Sequence, residues 1–395
     1  MRTQVGIIGA GPAGLLLAQL LHRQGVDTVV LERQDEAYVR SRIRAGVLEP
    51  ATVEALCEAG AGERLLREGL VHHGIELRFG GRSHRIPVSR LAGGRAITVY
   101  GQQEVVADLI DLRRSLGAPL EFGAEVTAVA GTDSASPVIT YRTAAGEHEL
   151  RCDFIAGCDG FHGVSRAAVR PGCLPTYQRD YPYAWLGVLA AVPPSAEELV
   201  YARHERGFAL HSMRSPQLSR FYLQVEPGTE TTDWPDERIW KELRIRLSTD
   251  DGPPLDEGEI VDRSVTGMRS FVSGEMRHGR LLLAGDAAHI VPPTGAKGLN
   301  LAVADARVLA RALTAHYRSG DPALLDSYTA TCLRHIWRAQ DFSAWMTTLL
   351  HRQEGPAGEF DDRAQLSRLE YVCRSRAAAT ALAENYVGTG LLSPA

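Results

Sequence analysis

Short apolar runs that end in glycine or an acid alternate with stretches of helical periodicity along this chain. Val5-Gly6-Ile7-Ile8 runs into Gly9-Ala10-Gly11-Pro12-Ala13-Gly14, and helical spacing follows from Leu15 to Leu21. Thr28-Val29-Val30-Leu31 is the next apolar run, and Glu32 ends it. Strand, glycine turn, helix, strand and acid in this order predict a βαβ unit that binds a dinucleotide. Gly9 serves the tight turn, Gly11 the close approach of backbone to a pyrophosphate, and Gly14 the packing of helix on strand. The helix N-terminus offers N–H groups and a partial positive charge to the phosphates. Glu32 offers a carboxylate to ribose hydroxyls. This unit alone does not separate FAD from NAD(P).

Further along, the pattern predicts helices at Glu49 to Ala59, Glu63 to Glu68 and Gln103 to Leu116. Residues 70–100 alternate apolar and polar side chains and read as short strands, and 119–155 read as a small antiparallel sheet. Leu186 to Val225 is strand-rich, and one helix is expected near Asp236 to Leu247. Strand Leu281 to Ala284 precedes long helices at Asn300 to Tyr317 and Leu324 to Leu350, and the tail is helical from about residue 358 to Asn385. The fold class is therefore α/β: a discontinuous Rossmann-like nucleotide domain (1–70, 101–180 and 270–300), an inserted, mostly β substrate domain (71–100 and 181–269) and a helical C-terminal region (301–395).

Composition narrows the function classes. The 395 residues carry 43 basic and 48 acidic side chains, a formal net charge of −5, with no basic tract to suggest nucleic acid. The longest apolar segment is broken by glycine, so no transmembrane helix is expected. A nucleotide strand so near the N-terminus leaves no room for a secretory leader. Six cysteines lack any Cys-x-x-Cys spacing, and thirteen histidines lack ligand spacing. Reduced, mostly buried thiols in a cytoplasmic protein without a metal are the expectation.

Two more segments repeat the opening logic. Asp153-Phe154-Ile155-Ala156-Gly157-Cys158-Asp159-Gly160 and Arg280-Leu281-Leu282-Leu283-Ala284-Gly285-Asp286 each deliver glycine and aspartate at the end of an apolar strand. Pro292-Pro293-Thr294-Gly295-Ala296-Lys297-Gly298-Leu299-Asn300 then starts a helix whose N-terminus can face an electron-rich ring edge. In the strand-rich region, Leu210, Ser212 and Arg214 share one strand face, and Arg220, Tyr222 and Gln224 share the next. Ser215 to Ser219 read as the hairpin loop, with Arg214 opposing Arg220 and Ser212 opposing Tyr222. Facing arginines repel unless an anion lies between them. The pair reads equally as a carboxylate site or as a solvated basic hairpin tip. Read alone, Tyr201 and Tyr386 are core aromatics and His72 an ordinary histidine.

The dinucleotide turn, the Asp153 to Arg166 segment and the Arg280 to Asn300 segment together resemble the single-component flavoprotein aromatic hydroxylases. The resemblance covers nearly the whole chain. It is close at Arg42-Ile43-Arg44-Ala45-Gly46-Val47-Leu48-Glu49, Gly157 to Gly163, Ala284 to Leu301 and Ala383-Glu384-Asn385-Tyr386-Val387-Gly388. It implies bound FAD, contacted by Gly9, Gly11, Gly14, Glu32, Arg33, Arg44, Gln102, Asp159, Asp286, Gly298, Leu299 and Asn300. It implies that Ser212, Arg214 and Tyr222 hold the carboxylate of 4-hydroxybenzoate, with Arg220 near the flavin. It also implies that Tyr201, Tyr386 and His72 relay the phenol proton while Pro293 contacts the phenol through its backbone. The implied reaction is hydroxylation at the 3-position to 3,4-dihydroxybenzoate, with O2 activated as a flavin hydroperoxide.

The same resemblance places a reduced nicotinamide over Arg42, His162 and Arg269, with Gln34 to Tyr38 near its adenosine, and implies a homodimer. Asp35 and Glu36 would repel a 2′-phosphate, whereas Arg33 and Arg42 argue the other way, so NADPH and NADH both stand. The alternatives are a hydroxylase of 3-hydroxybenzoate or an aminobenzoate, a flavin-free dehydrogenase, and a non-catalytic binder of aromatic acids.

Overall fold

The computed structural model describes residues 1–44, 46–169, 172, 174–353 and 358–388. Cys173, one of the thiols expected to be reduced, and Ala45 lie outside the described residues. Of the other cysteines, Cys152 and Cys332 are buried, Cys158 and Cys373 half-buried and Cys57 exposed, and all are unpaired. Among the described residues, no helix is long and apolar enough to cross a membrane.

Two large sheets organise the chain. The first has six strands in the order Arg277–His278, Leu281–Leu283, Phe154–Gly157, Val5–Ile8, Thr28–Glu32 and Leu120–Phe122. Its strands are parallel except for the Arg277–His278 edge. Near-continuous apolar runs suit a parallel sheet covered on both faces, and Val5, Ile7, Val30, Ile155, Ala156 and Leu282 are fully buried. Helix Pro12–His22 packs on it with the long helix Gly298–Ser319. The register aligns Ile8 with Leu31 and Gly157, and Gly157 with Leu283. Gly9, Glu32, Asp159 and Asp286 therefore emerge at one edge, beyond the carboxyl ends of the strands, where open α/β sheets bind ligands.

Leu120–Phe122 corrects one expectation. These residues pair in parallel with Thr28–Glu32, and only Glu125–Ala130, Val138–Thr143 and Gly146–Arg151 form the small antiparallel sheet. Three residues with a charged centre carry no periodicity that could assign them to either sheet. A six-residue helix, Glu36–Ser41, is a further element beyond the pattern of apolar runs; Asp35 caps it by accepting from Tyr38 N at 2.7 Å.

The second sheet has eight strands, in the order His289–Ile290, Ile260–Ser273, Thr176–Ala190, Leu218–Val225, Gly207–Ser215, Leu199–His204, Ile75–Phe79 and Arg82–Ile86. Strands Thr176–Ala190 and Ile260–Ser273 pair with each other along most of their length. One face carries Ala184, Leu186, Val188, Ala202, Phe221 and Leu223 beneath the amphipathic helix Asp236–Leu247. The other carries Leu77, Trp185, Tyr201, Phe208 and Leu210 beneath the C-terminal helices, including Tyr386. Period-two alternation thus separates a purely structural face from one that looks inward on polar groups.

Candidate active site

At the edge of the parallel sheet the backbone leaves room for a nucleotide. Gly9 has φ +104°, and a Cβ there would stand 2.4 Å from the Cys158 carbonyl oxygen. A Cβ on Gly14 would stand 2.1 Å from the Gly9 carbonyl oxygen, whereas one on Gly11 would meet nothing within 4 Å. Gly11 caps helix Pro12–His22 without a side chain, so the helix N-terminus faces open space. Glu32 secures this loop: its Oε2 accepts from Ala10 N at 2.8 Å and its Oε1 from Gln34 N at 2.9 Å. Arg33 and Gln34 border a groove of about 470 Å³ with Gly123, Glu125, Arg142 and Thr143.

Asp159 accepts from Ser165 N and Ser165 Oγ through Oδ2, each at 2.9 Å, while its Oδ1 is buried with no partner. Burial raises its carboxyl pKa. Asp286 is exposed on the turn Gly285–Ala287. That turn is held by Asp305, whose Oδ2 accepts from Gly285 N at 2.9 Å and bonds His289 Nε2 at 2.7 Å. Gly298 opens the helix Gly298–Ser319 without a side-chain cap, and a Cβ there would meet nothing within 4 Å. An orphaned buried carboxylate oxygen, two uncapped helix ends and two glycines facing open space fit a flavin dinucleotide.

Several of the remaining cofactor candidates have other work. The Asn300 side chain donates to Val47 O and Ala296 O at 2.9 and 2.8 Å, and accepts from Glu49 N and Thr52 Oγ1 at 2.9 and 2.7 Å. Its amide is saturated as a latch between the long helix and the Val47–Glu49 segment, which leaves its backbone as the ligand-facing part. Leu299 packs against the core. Gln102 opens helix Gln102–Ser115. Arg44 is exposed and lies in the electrostatic field of both Asp286 and Tyr222, where the two sheets meet.

On the inward face of the eight-stranded sheet the hairpin register differs from expectation. Ser212 opposes Arg220, and Leu210 opposes Tyr222. A shift between Met213 and Ser215, over the two-residue turn Pro216-Gln217, takes Arg214 out of the simple ladder. The bulge re-aims this side chain. Arg214 Nη1 donates to Ser212 Oγ at 3.2 Å, and Tyr222 lies beside its guanidinium. Its Nε is buried without a partner. No carboxylate pairs with it among the described residues, and burial pulls its pKa down. A half-buried guanidinium with a buried, unpartnered Nε and no carboxylate beside it calls for an anionic guest. Arg220 is different: its Nη1 reaches Asp262 Oδ2 at 3.1 Å.

At the far end, Tyr201 Oη and Tyr386 Oη lie 2.7 Å apart and fully buried. Burial raises both phenol pKa values above the ordinary range, so both are neutral hydroxyls at physiological pH. His72 does not join them. Its Nε2 lies 3.0 Å from Met213 Sδ, its Nδ1 has no partner, and burial lowers its pKa to about 4. Pro293 begins the turn Pro293–Gly295, and its carbonyl accepts from Ala296 N at 2.9 Å. Ala296 has φ +54°, the one positive φ outside glycine among the described residues. Such strain concentrates where a loop is held for a ligand. Thr347 Oγ1 donates to the Ser343 carbonyl at 2.7 Å and buttresses this loop by accepting from Thr294 Oγ1 at 2.9 Å.

Of the nicotinamide candidates, the structure gathers two. His162 meets the Phe161 ring edge-on at 5.0 Å, and the Arg269 guanidinium stacks on the same ring at 5.2 Å. Gln34, Tyr38 and Arg42 lie on or beside helix Glu36–Ser41, with no bond or ring contact to that pair among the described residues.

The sequence reading overlooked a buried ion pair at the centre of this region. Lys297 Nζ donates to Glu49 Oε1 at 2.6 Å and to the Tyr386 carbonyl at 3.0 Å. Partners 248 residues apart leave no local signal.

Comparison with known proteins agrees with this geometry. Residues 2–343 match the family model described as FAD binding domain. The chain belongs to this family. It is 46% identical over 388 residues to p-hydroxybenzoate hydroxylase from Acinetobacter baylyi, covering 98% of this chain and 96% of that protein. It is 32% identical over 340 residues to dialkyldecalin synthase from Streptomyces rugosporus, covering 83% and 69%. The fold matches the crystal structure of p-nitrophenol 4-monooxygenase from Pseudomonas putida DLL-E4 with TM-score 0.85 at 20% identity, covering 98% and 99%. These relatives are named for different reactions, so the reaction must be read from the site.

Proposed function

We propose that this chain is an FAD-dependent monooxygenase that hydroxylates 4-hydroxybenzoate at the 3-position to 3,4-dihydroxybenzoate. The observation that carries the reading is the half-buried Arg214, whose Nε is buried and unpartnered, with Ser212 and Tyr222 at one end of a buried face and the Tyr201–Tyr386 pair on the same face. A guanidinium offers a planar fork to a carboxylate. The tyrosine pair offers a neutral hydroxyl to a phenol, and a hydrogen-bonded partner through which its proton can move. Gly9, Gly11, Gly14, Asp159, Asp286 and the start of helix Gly298–Ser319 would hold the FAD, which supplies hydride acceptance and oxygen activation when bound. The protein's share is orientation, phenol polarisation and exclusion of water. The 46% identity to a p-hydroxybenzoate hydroxylase over nearly both full lengths supports the same substrate.

The reductant in this reading is NADH or NADPH. Asp35 and Glu36 weigh against a 2′-phosphate, although Asp35 caps a helix and Glu36 is paired with Arg40 and Arg114. A cytoplasmic homodimer completes the proposal. The test is direct: purified protein should be yellow, and 4-hydroxybenzoate should accelerate oxidation of a reduced nicotinamide with stoichiometric 3,4-dihydroxybenzoate. Colourless protein, or no catechol with either nicotinamide, overturns it.

A further inference from the structure

Two arginines, Arg214 and Arg220, lie beside Ser212 and Tyr222 on the inward face of the eight-stranded sheet, and the fold treats them unequally. Among the described residues Arg214 has no carboxylate partner, whereas Arg220 is paired with Asp262 at 3.1 Å. The register sets a row across four strands: Ser212 opposes Arg220, Arg220 opposes Leu189, and Leu189 opposes Asp262. Arg220 reaches along this row away from Ser212. It crosses Gly187, where a Cβ would stand 2.7 Å from its Nη2, and its Cζ lies 5.2 Å from the Tyr222 ring centre. Its Nε is buried and unpartnered, so it keeps donor capacity. Asp262 is half-exposed and Arg220 is buried, so water can replace the carboxylate but cannot neutralise the guanidinium.

We propose that Asp262 is a specificity-determining residue: by neutralising Arg220 it leaves Arg214 as the guanidinium beside Ser212 and Tyr222 without a carboxylate among the described residues, and so restricts the pocket to aromatic monocarboxylates. This rests on the reading of Ser212, Arg214 and Tyr222 as the carboxylate site. A guest with two adjacent carboxylates would bring one charge to Arg214 and a second to an arginine already satisfied, close to the Asp262 carboxylate. Like-charge placement of this kind is a repulsive element that discriminates against the wrong ligand.

The test uses the holoenzyme and equilibrium dialysis of two ligands, 4-hydroxybenzoate and 4-hydroxyphthalate, which carries a second carboxylate beside the first. In Asp262→Asn the dissociation constant of 4-hydroxyphthalate relative to that of 4-hydroxybenzoate should fall about tenfold. Asp262→Glu should keep the parent ratio, and Asp262→Asn with Arg220→Gln should lose the gain. General loosening of the pocket would weaken both ligands and leave the ratio in place. An unchanged ratio in Asp262→Asn, or a gain that survives without Arg220, overturns the proposal while the carboxylate site stands. Equal binding of 4-hydroxybenzoate by Arg214→Lys would instead remove that site, and the proposal with it.

Discussion

The parallel sheet and the eight-stranded sheet present their ligand-facing residues in different ways. Along the parallel sheet these residues lie in loops beyond the strand ends, where Gly9, Asp159 and Asp286 are placed by turns of a few residues. On the eight-stranded sheet they lie within strands, and their meeting depends on which residue opposes which. Ser212 faces Arg220 because the chain pairs in one register and bulges beside Arg214. A local turn tolerates little change in backbone and much change elsewhere. A strand face tolerates a change of side chain but is rearranged by a slip of one residue. The proposed cofactor end is thus a property of backbone, and the proposed substrate end a property of charge and pairing.

The sharpest way to break this contrast is Gly14→Ala. The added Cβ would stand 2.1 Å from a backbone oxygen that cannot step aside. FAD should be lost on purification, as read by flavin absorbance per protein. Full flavin content in that variant would mean that the glycine turn is not the nucleotide site. Arg214→Lys should do the reverse: flavin content stays normal while the dissociation constant of 4-hydroxybenzoate rises more than about tenfold, because a point charge replaces a planar fork. Tyr201→Phe breaks the tyrosine pair without removing a charge. Substrate should still bind, and the yield of 3,4-dihydroxybenzoate per nicotinamide oxidised should drop several-fold; unchanged coupling would take the pair out of the chemistry.

The smallest effect belongs to the support beneath the Gly285–Ala287 turn. Burial pulls the His289 pKa down, but the charge and hydrogen bond of Asp305 outweigh it and leave the pKa raised. A raised folded pKa contributes stability that is full below the unfolded value, about 6.5, and is lost as pH rises through the folded value. Thermal melting should therefore fall modestly as pH rises above neutrality, and His289→Gln should flatten that part of the profile. An identical slope in the variant would assign the titration to another group.

These cases also separate what could be read along the chain from what could not. Apolar runs and glycines between residues 5 and 32, and again near Asp159 and Asp286, predicted the cofactor edge because strand, turn and helix are each encoded within a few residues. Helix Glu36–Ser41 was equally local, with Asp35 as its cap, and could have been found from that cap. Leu120–Phe122 could not, since three residues have no period and only Thr28–Glu32 shows which sheet they join.

Local sequence carries the glycine turn, the alternation that gives the second sheet an inner and an outer face, and a pair of arginines on neighbouring strands. Tertiary structure alone decided that Ser212 faces Arg220, that His72 turns to Met213 rather than to the tyrosines, that Asn300 is spent as a latch, and that Lys297 meets Glu49. Turns and periodicity come from neighbours in sequence, whereas these pairings join residues from 8 to 253 positions apart. Register, burial and the balance of charge exist only once the strands have found their partners.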